Sequence, residues 1–162
     1  MKHSRYLIII LLALSVAPSF AIEVGDTAPP FVLTNIDRSY VFSKNIYGTG
    51  YVLLDFYATT CVNCNKELPL IEDIYLDHKD NGLQVLLMAT DPEGSSIVKP
   101  FFEANPTPIP ILLDRYQKSV ESFGVEVLPT VFLINPEGKV VYKGTGFHPE
   151  VDDEIRAFLE TE

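Results

Sequence analysis

At 162 residues, with 12 Lys and Arg against 22 Asp and Glu for a formal charge of −10, the chain holds one domain's worth of sequence and is 47% hydrophobic, enough to bury a core without covalent staples. Nucleic acid is excluded as a ready partner, because binding it requires basic residues that displace its counterions. Two cysteines, Cys61 and Cys64, are too few for a disulfide framework, and His3, His78 and His148 offer no obvious second half for a four-ligand zinc site.

The N-terminus carries Lys2, His3 and Arg5, then an apolar run of 12 residues from Tyr6 to Ala17, then Pro18-Ser19-Phe20-Ala21 with small residues where a signal peptidase reads. Residues 1–21 are expected to be a cleaved secretory signal, followed by one folded domain over 22–162. The run is short of the roughly 20 residues of a membrane span, and an uncleaved anchor is the alternative. Cleavage leaves 10 basic against 22 acidic side chains, a net of −12 that serves solubility.

Glu23 to Pro30 is a lead-in broken by Pro and Gly, and Phe31-Val32-Leu33 with Tyr40-Val41-Phe42 read as a short hairpin around the polar turn Asn35 to Ser39. Tyr51 to Phe56 is a continuous apolar run interrupted only by Asp55, the pattern of a strand buried on both faces. A helix is expected over 61–78, apolar at Leu68, Ile71, Ile74 and Tyr75, with a kink at Pro69. Leu83 to Ala89 is the next strand; Asp91-Pro92-Glu93-Gly94 turns into a helix over 96–104 with Pro100 in its tolerated first turn.

Pro106, Pro108 and Pro110 then forbid a helix, leaving Ile111 to Leu113 as a short strand and Gln117 to Phe123 as a short helix. Pro129 to Ile134 is a long strand that Asn135-Pro136-Glu137-Gly138 turns back into Lys139 to Lys143. Pro149 to Glu160 closes the chain as an amphipathic helix with acids in its first turns. Strands alternating with helices and ending in a hairpin give an α/β domain with a mixed sheet and helices on both faces.

The chemistry is concentrated where the strand ending in Phe56 delivers Cys61-Val62-Asn63-Cys64 to the start of a helix. Two intervening residues let the sulfurs close a small ring across the first turn, and the first sulfur faces unpaired backbone N–H groups that favour a thiolate. A purely structural disulfide is the weaker reading, because so small a loop constrains the unfolded chain little. A peroxide reductase of the P-x-x-x-T-x-x-C kind is excluded by Leu54 and Ala58 at the Pro and Thr positions.

Several segments resemble the thioredoxin superfamily, and within it the exported TlpA/ResA-like thiol-disulfide oxidoreductases: Gly25 to Phe31, Leu54-Asp55-Phe56-Tyr57-Ala58, Glu67-Leu68-Pro69, and Gly124-Val125 with Leu128 to Ile134. The resemblance covers nearly all of 22–162. It implies a thioredoxin-like fold with an N-terminal hairpin extension and a helix-strand insertion over 91–114. It also implies a periplasmic monomer that needs no cofactor beyond its cysteines, exchanges with protein thiols and disulfides, draws on a membrane electron donor and has a possible place in cytochrome c maturation.

Residue by residue, the resemblance makes Cys61 the nucleophile and Cys64 the resolving thiol. Asp55 takes the place of the buried acid that moves a proton to or from the second cysteine, and Glu67 that of an assisting acid. Pro129 stands at the superfamily's cis-proline, with Leu128 and Thr60 beside the substrate. Two departures stand out: Thr60 and Tyr57 occupy positions where the family usually has Trp, and the chain has no Trp at all. The competing reading is a copper carrier that uses Cys61, Cys64 and His148.

Overall fold

Residues 21–160 are described by the computed structural model, and the leader expected at 1–21 lies, but for Ala21, outside them. The apolar runs pair into one seven-stranded sheet in the order β2-β1-β5-β4-β3-β6-β7. Its strands are β1 (Val32–Asn35), β2 (Tyr40–Phe42), β3 (Val52–Tyr57), β4 (Gln84–Ala89), β5 (Ile111–Leu113), β6 (Thr130–Ile134) and β7 (Val140–Thr145). The interior strand β3 is flanked by parallel β4 and antiparallel β6 and covered on both faces, so every one of its residues is buried. The N-terminal hairpin is more than an appendage, since β1 also pairs antiparallel with β5 and so extends the main sheet.

Alternation along β3 sorts its side chains onto two cores. Leu53 and Tyr57 face a cluster that takes in Ile71 and Ile74 of α1 (Val62–His78), Val98 of α2 (Ser95–Ala104), and Val151 and Ile155 of α4 (Val151–Leu159). Val52, Leu54 and Phe56 face the other, with Phe123 of α3 (Lys118–Phe123), Ala28 of the lead-in, Phe31 just after it and Ile46 from the segment between β2 and β3. Asp55 has the parity of Leu53 and Tyr57, so the sheet turns it toward the α1 layer.

On α1 the buried positions are Cys64, Glu67, Ile71 and Ile74, a stripe at helical spacing in which one member is an acid. Pro69, expected to bend the helix, lies on its exposed face and the helix continues through it. Pro100 departs from expectation. Gly94, in a left-handed conformation with φ 59°, caps α2 so that the helix begins at Ser95, which places Pro100 past the first turn. There the missing N–H leaves the Ser96 carbonyl without its intrahelical donor.

The turn between β6 and β7 forms as its sequence requires, with Gly138 N–H donating to the Asn135 carbonyl at 2.9 Å and Asn135 Oδ1 accepting from Lys139 N–H at 2.9 Å.

Close backbone approach dictates one glycine at the entry to β3. The Gly82 carbonyl oxygen stands against the position a Cβ on Gly50 would take, where Gln84 N–H donates to the Tyr51 carbonyl at 2.9 Å and starts the β3–β4 pairing. Gly50→Ala is therefore expected to destabilise the fold by about 1–3 kcal/mol, the usual cost of forcing extra volume against atoms that cannot withdraw. A urea midpoint equal to that of the wild type would contradict this reading.

Candidate active site

The cysteine pair sits where the buried β3 gives way to α1. Cys61 is the N-cap of α1 with extended backbone, and its Sγ accepts a hydrogen bond from Cys64 N–H at 3.1 Å. A sulfur thus fills the place that a Ser or Asp oxygen usually takes at a helix start, and any negative charge on it is met by the helix N-terminus. The two sulfurs are joined as a disulfide, with Cα atoms 5.2 Å apart. Cys61 is half-buried while Cys64 is 1% exposed, so the first sulfur is the one a partner can reach. Val62 and Asn63 between them are exposed and uncharged.

Two acids lie beneath the pair on the α1 side of the sheet. Asp55 is 1% exposed, sits in register between Leu87 and Val131, and neither of its carboxylate oxygens has a hydrogen-bond partner among the described residues. Burial, and then the neighbouring charge of Glu67, raise its pKa well above the usual carboxyl range. Glu67, one turn beyond Cys64, is also 1% exposed rather than solvated, and burial pushes its pKa up to about 7. Its Oε1 likewise lacks a partner.

The Leu128–Pro129 peptide is cis, as the superfamily resemblance implied. Thr130 pairs with Phe56 in the antiparallel register, so Pro129 stands at the end of β3 from which the chain passes to Cys61. Gly146 N–H donates to the Pro129 carbonyl at 2.8 Å, fixing this loop from β7. Thr60, which is exposed, and Leu128 line one groove of about 420 Å³ beside the pair, with Ile97 and Glu93 on its far wall. Tyr57 contributes nothing to that surface: it is fully buried and packs against Phe101 and Phe102 of α2.

Four residues in and around the loop that presents Cys61 escaped sequence reasoning as a group. The buried Asp91 carboxylate accepts from Thr59 N–H and Thr59 Oγ1, Asn65 Nδ2 donates to the Thr59 carbonyl at 3.3 Å, and Tyr57 OH donates to Asn65 Oδ1. Asp91-Pro92-Glu93-Gly94 reads as a turn, and nothing in that tetrad announces that its first side chain points back at residue 59.

His148 does not join the cysteines. Its Nε2 lies 3.4 Å from Tyr142 OH and 4.0 Å from Glu154 Oε2 on the β7–α4 side, and no three His, Cys, Asp or Glu among the described residues converge to hold a metal. The copper-carrier arrangement of Cys61, Cys64 and His148 is therefore not assembled.

A sheet of this order with a C-x-x-C disulfide at a helix start and a cis-proline beside it defines a thiol-disulfide oxidoreductase of thioredoxin-like fold. The chain belongs to the AhpC/TSA family, whose profile matches residues 24–143. Among curated relatives, the thiol-disulfide oxidoreductase ResA of Bacillus thuringiensis (strain Al Hakam) is 32% identical over 173 residues, covering 99% of this chain and 98% of that protein. ResA of Bacillus subtilis (strain 168) is 34% identical over 126 residues, covering 78% and 69%. Solved structures agree. A protein of Chlorobium tepidum assigned as the thiol:disulfide interchange protein DsbE superposes with a TM-score of 0.79 at 27% identity, covering 86% of this chain and 96% of that one. A thiol:disulfide interchange protein from Bacteroides sp. superposes with a TM-score of 0.74 at 25% identity, covering 88% and 91%.

The raised acids make a statement about stability. Because the folded state holds a proton on Glu67 that the unfolded chain releases near the ordinary value of 4.5, the stability linked to this group is fully present below pH 4.5. It is lost as the pH rises through about 7. Denaturant unfolding of the wild type is expected to weaken across that window with a slope of up to about 1.4 kcal/mol per pH unit for one proton. Glu67→Gln, which keeps the shape and cannot ionise, should flatten the slope and be the more stable protein at pH 7.5; equal slopes would disprove a buried, protonated Glu67.

Proposed function

We propose that this protein is an extracytoplasmic reductant of protein disulfides, working as a monomer through the Cys61–Cys64 dithiol. The observation that carries the reading is the asymmetry of the pair: a half-buried Cys61 at the helix cap over a buried Cys64, with two buried carboxyl groups in the same layer, of which both Asp55 oxygens and Glu67 Oε1 have no hydrogen-bond partner among the described residues. In the reducing direction the Cys61 thiolate attacks a partner disulfide, forming a mixed disulfide and expelling one partner thiolate. Cys64 then loses its proton and attacks Cys61 Sγ, closing the internal disulfide and releasing the second partner thiol. Two electrons pass to the partner, and an external dithiol must restore the pair.

Asp55 and Glu67 are the groups to take the Cys64 proton. A general base works best with a pKa near the ambient pH, and burial moves both acids toward neutrality. Thr60 and Leu128 border the groove in which an extended partner segment lies against the pair, and cis-Pro129 follows Leu128 directly.

The direction follows from charge. Strong oxidants stabilise their thiolate, often with a nearby cation, whereas Val62 and Asn63 are neutral and the two groups buried beneath the pair, Asp55 and Glu67, are acids that supply no positive charge. Export and a membrane electron donor rest on the N-terminal segment and the ResA resemblance, and reduction of an apocytochrome disulfide to its two thiols during cytochrome c maturation is the pathway that resemblance suggests. No helix among the described residues is long and apolar enough to cross a membrane.

Three measurements test this. Cys64→Ser should trap partners as stable mixed disulfides through Cys61, and recovery of those adducts from Cys61→Ser instead would reverse the roles. Asp55→Asn should slow exchange about ten- to a thousandfold near neutral pH, the scale of losing a general acid/base, and wild-type rates from about pH 6 to 9 would remove the proton-transfer role. Equilibration with glutathione buffers should give a potential below about −200 mV; a value near the −120 mV of strong oxidants would refute a reductant.

A further inference from the structure

We propose that Asp91, outside the cysteine motif, is a positioning residue for the redox pair. Acting through Thr59, it holds the loop ahead of Cys61 so that the two reduced thiols remain poised to close their ring. The inference deepens the thiol-disulfide exchange reading and rests on it.

The structure gives this side chain one task. Asp91 is 4% exposed and Thr59 7% exposed; Oδ1 accepts from Thr59 N–H at 3.1 Å and from Thr59 Oγ1 at 2.6 Å, and Oδ2 lies 3.2 Å from the same N–H. No ion pair involves Asp91 among the described residues, and α2 is capped by Gly94 and not by Asp91. A buried carboxylate without a cation is costly unless hydrogen bonds replace its water, and here all of the side-chain bonds it accepts come from one residue, 32 positions earlier.

That residue is two positions before Cys61. Ahead of it, Thr90 N–H and Thr90 Oγ1 bond the Tyr57 carbonyl at 2.9 and 3.1 Å; behind it, Asn65 ties the Thr59 carbonyl to the first turn of α1. The end of β4 thus grips the segment 57–59 from outside, and Cys61 leaves a fixed point. Ring closure between two thiols depends on how far their separation is held near bonding distance, an effective-concentration effect that misplacement by one ångström can cut about a hundredfold.

The test is the equilibrium of the full chain with glutathione. Two glutathione thiols reduce the internal disulfide to a dithiol and become one glutathione disulfide, so electrons and protons balance, and alkylation of free thiols reads the ratio. Asp91→Ala is expected to lower the equilibrium constant for the Cys61–Cys64 disulfide on the order of tenfold. Thr59→Val, which loses the hydroxyl bond and keeps the N–H bond, should move it the same way by less, and Thr59→Ser should restore it. Asp91→Asn retains Oδ1 and both bonds to it while losing the charge, and should stay near the wild type.

Unchanged constants in Asp91→Ala and Thr59→Val, even with a lower melting temperature, would overturn the proposal and leave a merely structural clamp. A shift in Asp91→Asn as large as in Asp91→Ala would overturn it in favour of charge. If Asp91→Ala does not fold, Thr59→Val decides alone. A wild-type pair that never equilibrates with glutathione would remove the exchange reading itself, and this inference with it.

Discussion

The hydrogen bond from Cys64 N–H to Cys61 Sγ is the contact on which the site is built. A helix must satisfy its first N–H groups, and at α1 the acceptor is a sulfur. Moving Cys61 one residue in either direction would leave the cap to Thr60 or Val62 and carry the sulfur away from the N–H groups that steady it as an anion. The remainder of the fold supplies the fixed frame: β3, paired on both sides, ends at Tyr57, and the four residues to Cys61 are tied at Tyr57 and Thr59 from the end of β4. The cis-proline loop reaches the same place from β6 because the antiparallel register sets Thr130 opposite Phe56.

Beneath that cap the core contains a conflict that a stability argument alone would remove. Asp55 and Glu67 hold positions where an apolar residue would bury surface at no electrostatic cost, and their unpartnered oxygens are groups that folded proteins rarely leave unsatisfied. Burial raises the cost of ionising both, and the charge of Glu67 raises that of Asp55 further, since like charges in a low-dielectric layer repel. The arrangement suits a site that must hold a proton while the disulfide is closed and move it when the thiols form. The same layer is otherwise apolar, with Ile71, Leu87 and Val131 around it, so neither acid has a competing cation to fix it permanently as a carboxylate.

Much of this was legible in the sequence because it follows from periodicity. The run from Tyr51 to Phe56 announced a doubly covered strand, and Asp55 stood out as its one interruption. Asn135 to Gly138 forecast its turn through local chemistry that tertiary contacts did not need to correct. Glu67 was harder: a glutamate near a helix start is favoured by the helix dipole, and only its place in the stripe of Cys64, Ile71 and Ile74 argues burial. That spacing is present in the sequence, but residue type leaves a solvated glutamate as open as a buried assisting acid. The pairing of β1 with β5 and the reach of Asp91 to Thr59 join segments distant in sequence and depend on the assembled sheet, so no local pattern encodes them.

The absence of tryptophan alters the surface more than the machinery. At position 57 a large aromatic is retained, but the sheet's alternation turns it inward, where it packs on Phe101 and Phe102 and sends its hydroxyl to Asn65. At position 60 the small, exposed Thr leaves the groove by Leu128 without a flat wall, so under the proposed function a partner segment laid there would meet a threonine hydroxyl and the sides of Ile97 and Glu93. Stacking on an indole is sequence-tolerant, because any apolar or aromatic side chain profits from it. Under the proposed function, a short polar side chain and one exposed carboxylate in place of that wall would shift selectivity toward the shape and charge of the residues that flank the partner's cysteine. The pair itself is untouched by this exchange, since the cap, the two acids and the loop clamp all lie on the inner side of Cys61.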